Sequence, residues 1–165
     1  MSGENIIKEP ASEVVVRFQD CDPFGHLNNA RYLDYFINAR EDHLARYYDF
    51  DIYERQRKLQ SNWVIVKTSI AYLLPVVFRE KVVIRTCLLH FTENTLLMEG
   101  VMLDKDSKSV KSVVWITFMY FSLAEGKSIE HTDELMQLWH MISAGNKEID
   151  VNDFDGRVKE IKSRF

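Results

Sequence analysis

Three periodicities of hydrophobic and polar positions follow one another along the chain. Residues 14–18, Val14-Val15-Val16-Arg17-Phe18, are β-branched and apolar and predict a short strand. The strand runs into Asp20-Cys21-Asp22-Pro23-Phe24-Gly25-His26, whose polar residues, proline and glycine predict a tight turn. Pro23 fixes its own φ and pushes Asp22 into an extended conformation, while Gly25 supplies a backbone position free of a side chain. The period then becomes helical. Leu33, Phe36, Ile37, Leu44 and Tyr47 recur at that spacing, and Tyr32, Tyr35 and Ala39 widen the stripe, so a helix buried on most sides is expected. It should begin at Asn28 or Asn29, because an asparagine oxygen accepts from the free N–H groups of a first turn. Asp42 and Arg46, spaced i,i+4, mark its solvated edge.

Residues 49–60 are mixed and charged and fit a short helix or a loop equally well. From residue 61 to 123 the pattern alternates with period two. Strands are predicted over 62–72, 78–91, 95–103 and 110–123, with Pro75, Glu93-Asn94 and the polar run 104–108 between them. Short turns between successive strands predict an antiparallel meander. With the first strand this makes a five-stranded antiparallel sheet and one long helix to cover its apolar face, an α+β arrangement. Residues 1–12 lack periodicity and read as a loose terminus. In the tail, Thr132 can cap a helix whose stripe is Leu135, Leu138, Trp139 and Ile142 and which Gly145-Asn146 would end. A last short helix after Asp155-Gly156 would use Val158, Ile161 and Phe165.

At 165 residues and 46% hydrophobic content the chain is most simply one domain with a core of its own. The net charge of -4, without a long basic run, argues against nucleic acid and anionic membranes as partners. No apolar run reaches the roughly 20 residues that span a bilayer. Cys21 and Cys87 fall on separate predicted elements, and with no signal peptide the expected compartment is the reducing cytoplasm. No ligand spacing among Asp20, Asp22 and His26 suits a metal, so none is expected. No glycine-rich phosphate loop is present.

The chemistry concentrates in the turn. Asp22 stands a few residues before a helix N-terminus, where unpaired N–H groups and a partial positive charge gather. Such an end polarises a carbonyl, while a neighbouring carboxylate acts as base or nucleophile.

Asp22-Pro23-Phe24-Gly25-His26-Leu27-Asn28-Asn29, followed by Tyr32, resembles the D-x-x-G-H-x-N-N-x-x-Y signature of the hot-dog-fold acyl-CoA thioesterases of the 4-hydroxybenzoyl-CoA thioesterase type. The lead-in Arg17-Phe18-Gln19-Asp20-Cys21 is also similar. The resemblance covers about residues 12–124 and leaves 125–165 as a C-terminal helical extension. It implies a sheet wrapped around the helix, and a thioester hydrolase in which Asp22 is general base or nucleophile. Backbone N–H groups near Asn28 and Asn29 would polarise the carbonyl, and Gly25 and His26 would shape the site wall. Phe24 and Tyr32 would contact substrate, and Asp20 would be structural. It further implies a small-molecule acyl thioester as partner, coenzyme A entering only as part of the substrate, and a homodimer or tetramer with sheets joined edge to edge. Relatives often place Arg or Lys near the end of the third strand to hold phosphates. Here residues 89–95 carry neither, so coenzyme A, acyl carrier protein and some other carrier all stand open. A non-catalytic acyl-CoA-binding module is the alternative function.

Overall fold

An antiparallel sheet curls around one long helix in the computed structural model, which describes residues 6–145 and 149–165. The strands are β1 (Ala11–Val15), β2 (Ser61–Tyr72), β3 (Lys81–Phe91), β4 (Thr95–Asp104), β5 (Val110–Ser122) and the two-residue β6 (Lys127–Ser128). The helices are α1 (Tyr32–Tyr48), α2 (Ile52–Leu59), α3 (Asp133–Ile142) and α4 (Phe154–Lys162). This is the α+β hot-dog arrangement, extended by helices at the C-terminal end.

The strand order is β1-β3-β4-β5-β2, with β6 beside β5. The expected meander therefore holds only for β3, β4 and β5. β2 pairs with β5, from Ser61 opposite Ser122 to Tyr72 opposite Ser112, and β1 takes the place beside β3. The reason lies in the link between β2 and β3. Residues 73–80 contain Pro75 and spend backbone hydrogen bonds on Gly25, Leu27 and Val16 instead of closing a hairpin. The second long strand accordingly starts at Lys81, not at residue 78.

The first strand lies three residues earlier than the pattern 14–18 suggested. Val16 leaves the ladder to pair with Glu80 and Arg79, and Phe18–Asp20 winds into a 3-10 turn. Nor is the segment before it loose. The Pro10 carbonyl accepts from the Thr86 N–H, and the Tyr48 hydroxyl donates to the Ile7 carbonyl at 2.6 Å. Residues 1–5 of the expected loose terminus lie outside the described residues.

α1 buries Tyr32, Tyr35, Phe36, Ala39, Arg40, His43 and Leu44. The stripe is narrower than expected and rotated. Leu33, Ile37 and Tyr47 are half-buried, and Asp34, Asn38, Asp42 and Arg46 face solvent, because the sheet covers one side of the helix. Helix and sheet approach closely at Gly100, where a Cβ would stand 2.6 Å from the Phe36 ring. The ambiguous stretch 49–60 contains α2, capped by Asp51, whose carboxylate accepts from the Glu54 N–H.

Period-two alternation sends β4 and β5 side chains to two different cores. Leu96, Met98, Met102, Val114, Ile116 and Phe118 face α1, and α3 adds Leu135, Trp139 and Ile142 to the same cluster. Thr132 caps α3 as expected, but the helix ends at Ile142, before Gly145, and Asn146 lies outside the described residues. On the opposite face Val101, Leu103, Val110 and Val113 receive Val158 and Ile161 of α4. Phe165, expected on that stripe, is 43% exposed because α4 stops at Lys162. Under α4 the Glu99 carboxylate accepts from Arg157 Nε at 2.9 Å, from Arg157 Nη2 at 2.7 Å and from the Trp115 indole at 2.9 Å.

Candidate active site

The segment from Val16 to Asn28 leaves the end of β1 and is sewn to the link between β2 and β3. Leu27 N–H donates to the Val76 carbonyl at 2.7 Å, and Phe78 N–H to the Gly25 carbonyl at 3.0 Å. The link is braced in turn by Lys111, whose ammonium lies 2.7 Å from Glu80 and 3.1 Å from the Pro75 carbonyl. Gly25 has φ +78°, a left-handed value that a side chain would oppose.

Inside this loop the chain folds back at Asp22. Its N–H donates to the His26 carbonyl at 2.8 Å, and its own carbonyl accepts from Gly25 N–H at 3.0 Å. The carboxylate is clamped through one oxygen. Asp22 Oδ1 accepts from the Phe24 N–H at 2.9 Å and the His26 N–H at 3.1 Å. Among the described residues nothing donates to Oδ2, so one oxygen fixes the group and the other is left to accept a proton.

The helix mouth follows. Asn28 N–H donates to the Asp20 carbonyl, and Asn28 Oδ1 caps the 3-10 turn Asn29–Arg31 by accepting from Ala30 N–H at 2.9 Å. Arg31 N–H returns to the Asn28 carbonyl. The Asn29 N–H is thereby left without an acceptor among the described residues. Its carbonyl accepts from the Tyr72 hydroxyl at 3.0 Å, which ties the end of β2 to the helix start. Tyr32 is buried beneath, its ring edge-on to Tyr72 at 5.0 Å, and burial pushes its phenol pKa up.

Asp20 is engaged elsewhere. Its carboxylate accepts from the Tyr35 hydroxyl at 2.7 Å, and that hydroxyl accepts from the Arg17 N–H at 3.2 Å. Burial, followed by this carboxylate, pushes the Tyr35 phenol up to about 12. Desolvation and then the charges of Asp20 and Asp22 push the Cys21 thiol up, so it stays protonated and is no nucleophile at neutral pH.

Asp22, Gly25, His26, Asn28 and Asn29 thus form one hydrogen-bonded loop at the mouth of α1. The His26 ring makes no hydrogen bond among the described residues, and the Phe24 ring is 85% exposed. Among the described residues, five cavities form elsewhere in the fold and Asp22 lines none of these five. Around the loop Phe18, Val77 and Phe78 are also exposed, with Phe18 and Phe78 in edge-to-face contact at 5.8 Å. Three contributors escaped the sequence pattern: the Tyr35 hydroxyl, the Tyr72 hydroxyl and the Glu80–Lys111 brace. Tyr35 reads as a core aromatic, Tyr72 as the last residue of a strand, and the brace joins residues 31 apart in sequence.

A family model described as the thioesterase-like superfamily matches residues 16–138. No curated protein matches the chain at the sequence level. Among solved structures, YbaW, a probable thioesterase from Escherichia coli, shares 24% identity at a TM-score of 0.69, covering 80% of this chain and 97% of its own. Slr0204, a 1,4-dihydroxy-2-naphthoyl-CoA thioesterase from Synechocystis, shares 15% at 0.72, covering 81% and 95%. SAV2348 from Staphylococcus aureus, solved in complex with CoA, shares 13% at 0.75, covering 90% and 93%. At these identities the structural likeness carries the fold.

Proposed function

The chain belongs to the thioesterase-like superfamily, and we propose that it hydrolyses acyl thioesters of coenzyme A or of acyl carrier protein to free acid and thiol, with Asp22 as general base or nucleophile. The carrying observation is that one hydrogen-bonded loop holds the clamped Asp22 carboxylate and, where it enters α1, leaves the Asn29 N–H uncommitted. Thioester hydrolysis needs those two functions together: a group that attacks the carbonyl carbon or activates water, and a donor for the oxygen that becomes negative. Asp22 Oδ2 serves the first and Asn29 N–H the second, with Asn28 holding the helix start open. Gly25 and His26 form the wall. Phe24 and Tyr32 meet the substrate, Phe24 at the exposed rim and Tyr32 underneath. Coenzyme A enters as part of the substrate, and the CoA held by SAV2348 supports that carrier.

A second copy of the chain completes the site. β2 is a twelve-residue edge strand, with Val64, Ile65 and Val66 exposed along it. Such an edge invites pairing. Its far end, Tyr72, already touches Asn29, so a partner joined along β2 arrives beside the open loop and covers its aromatic rim. A tetramer is the larger assembly of the same kind. Among the described residues no helix is long and apolar enough to cross a membrane. The free thiols Cys21 and Cys87 suit a reducing cytoplasm.

Release of free thiol from a panel of short, long and aromatic acyl-CoAs tests the reading. Turnover is expected in the wild type, with loss of most of it in Asp22→Asn while folding and acyl-CoA binding persist. Saturable binding with no thiol release would identify an acyl-CoA-binding module instead. Wild-type turnover in Asp22→Asn would remove Asp22 from the mechanism.

A further inference from the structure

Two turns beyond the loop, α1 carries a charge the proposed hydrolysis does not use. Arg40 is 9% exposed and lies between the helix and the sheet. Eight residues separate it from Tyr32, about 12 Å along the axis at 1.5 Å per residue. Its guanidinium carbon stands 4.2 Å from the centroid of the Phe118 ring. Among the described residues no carboxylate, carbonyl or hydroxyl accepts from it. Burial lowers its pKa to about 10, with Glu41 on the same helix opposing the shift, so the group is cationic at neutral pH.

An arginine so enclosed is ordinarily paired, because desolvating an ion is far more costly than stacking it on a ring repays. Arg40 instead lines a cavity of about 40 Å³, walled by Leu96, Met98, Phe118 and Trp139 with His43 and Thr86 on one side. That volume holds roughly three waters or one small anion. His43 does not compete for the role. Its Nδ1 lies 2.8 Å from the Thr86 hydroxyl and its Nε2 3.0 Å from the Ser12 hydroxyl, and burial lowers its pKa, so it is neutral. The cavity therefore presents one fixed positive charge and apolar walls, with the Thr86 hydroxyl at its edge already engaged by His43.

We propose that this cavity is a binding site for a small monoanion, a carboxylate or a halide, with Arg40 as its charged ligand. The planar guanidinium fork matches a carboxylate through two parallel hydrogen bonds and serves a halide equally as a point of charge. The walls limit the occupant to a short one. The site is separate from the Asp22 loop, so its failure leaves the hydrolase reading standing and the reverse also holds.

The full chain, exchanged into sodium gluconate, whose anion is too large for the cavity, is titrated with sodium acetate or sodium chloride at constant ionic strength. A saturable rise of several degrees in Tm is expected in the wild type and none in Arg40→Met, whose anion-free Tm should be higher because the buried charge is gone. A response to acetate alone assigns a carboxylate site, and a response to chloride assigns a halide site. An equal rise in both proteins, or no rise in the wild type, overturns the proposal. Should Arg40→Met not fold, equilibrium dialysis of wild type and Arg40→Gln against labelled acetate and chloride decides. Binding of a single anion per wild-type chain that Arg40→Gln loses supports the site, and no binding, or binding unchanged in the variant, overturns it.

Discussion

The Tyr35 hydroxyl, 2.7 Å from Asp20 Oδ2, separates the two carboxylates of the loop into different tasks. Asp20 is held by α1 from one side, while among the described residues Asp22 is held only by the N–H groups of its own turn and keeps one oxygen unengaged. The same phenol accepts from Arg17 N–H, so it also fixes where the chain leaves β1.

Tyr35→Phe should therefore cost stability and activity together. Removing the hydroxyl leaves a charged acceptor and a backbone donor without their partner, a loss of about 1–3 kcal/mol. Urea unfolding reads the first, and thiol release from an acyl-CoA the second. Asp20→Asn, which keeps an acceptor for the phenol, should lose less on both counts.

Gly100→Val should destabilise by about 1–3 kcal/mol, the usual cost of overpacking. A Cβ there would stand 2.6 Å from the Phe36 ring and 2.8 Å from Val114 Cγ1, so the helix must lift from the sheet. Adding Phe36→Leu should recover part of the loss. A double-mutant cycle in urea measures the coupling.

Acid should weaken the fold through two buried histidines. Burial lowers the pKa of His43, and for His131 burial outweighs the Thr92 carbonyl that accepts from its ring. Both are therefore neutral when folded and take up protons more readily when unfolded. Their stabilisation is complete above the unfolded value of about 6.5 and is lost as pH falls through the lower folded values. Asp104 and Glu160, whose pKa values are also lowered, act only below their unfolded values of 3.8 and 4.5, so the window between 5 and 6.5 belongs to the histidines. The urea midpoint should fall across that window. His131→Phe, which keeps the stack on Tyr120 but loses the Trp63 indole bond, should flatten part of the slope.

Arg157→Met should destabilise by about 3–5 kcal/mol, because it leaves Glu99 charged and enclosed. The carboxylate would keep only the Trp115 indole as donor. Glu99→Leu combined with Arg157→Met should be far milder, since the cost lies in the unpaired charge. Thermal unfolding of the three proteins separates these outcomes.

The strand and helix periods of this chain are legible because each residue's face is a local matter: alternation put β3, β4 and β5 in place, and the Thr132 cap and Leu135–Trp139–Ile142 stripe located α3. The turn around Asp22 is legible for the same reason, since proline, glycine and asparagine restrict the backbone one residue at a time. Which strands are neighbours was not legible, because β2 meets β5 and β1 meets β3 through contacts far apart in sequence, and the 73–80 link looks like a hairpin turn until its hydrogen bonds are seen to go to Gly25 and Leu27. Tyr35 serving Asp20, Tyr72 serving Asn29, and Arg40 enclosed without an acid belong to the same class. By itself the sequence determined α1, α3, the long strands and the tight turn at Asp22, but not whether 49–60 is helical, where β1 starts, or how the Asp22 carboxylate is held. Tertiary structure alone decided what each buried polar group faces, because that depends on which distant segments the apolar faces draw together.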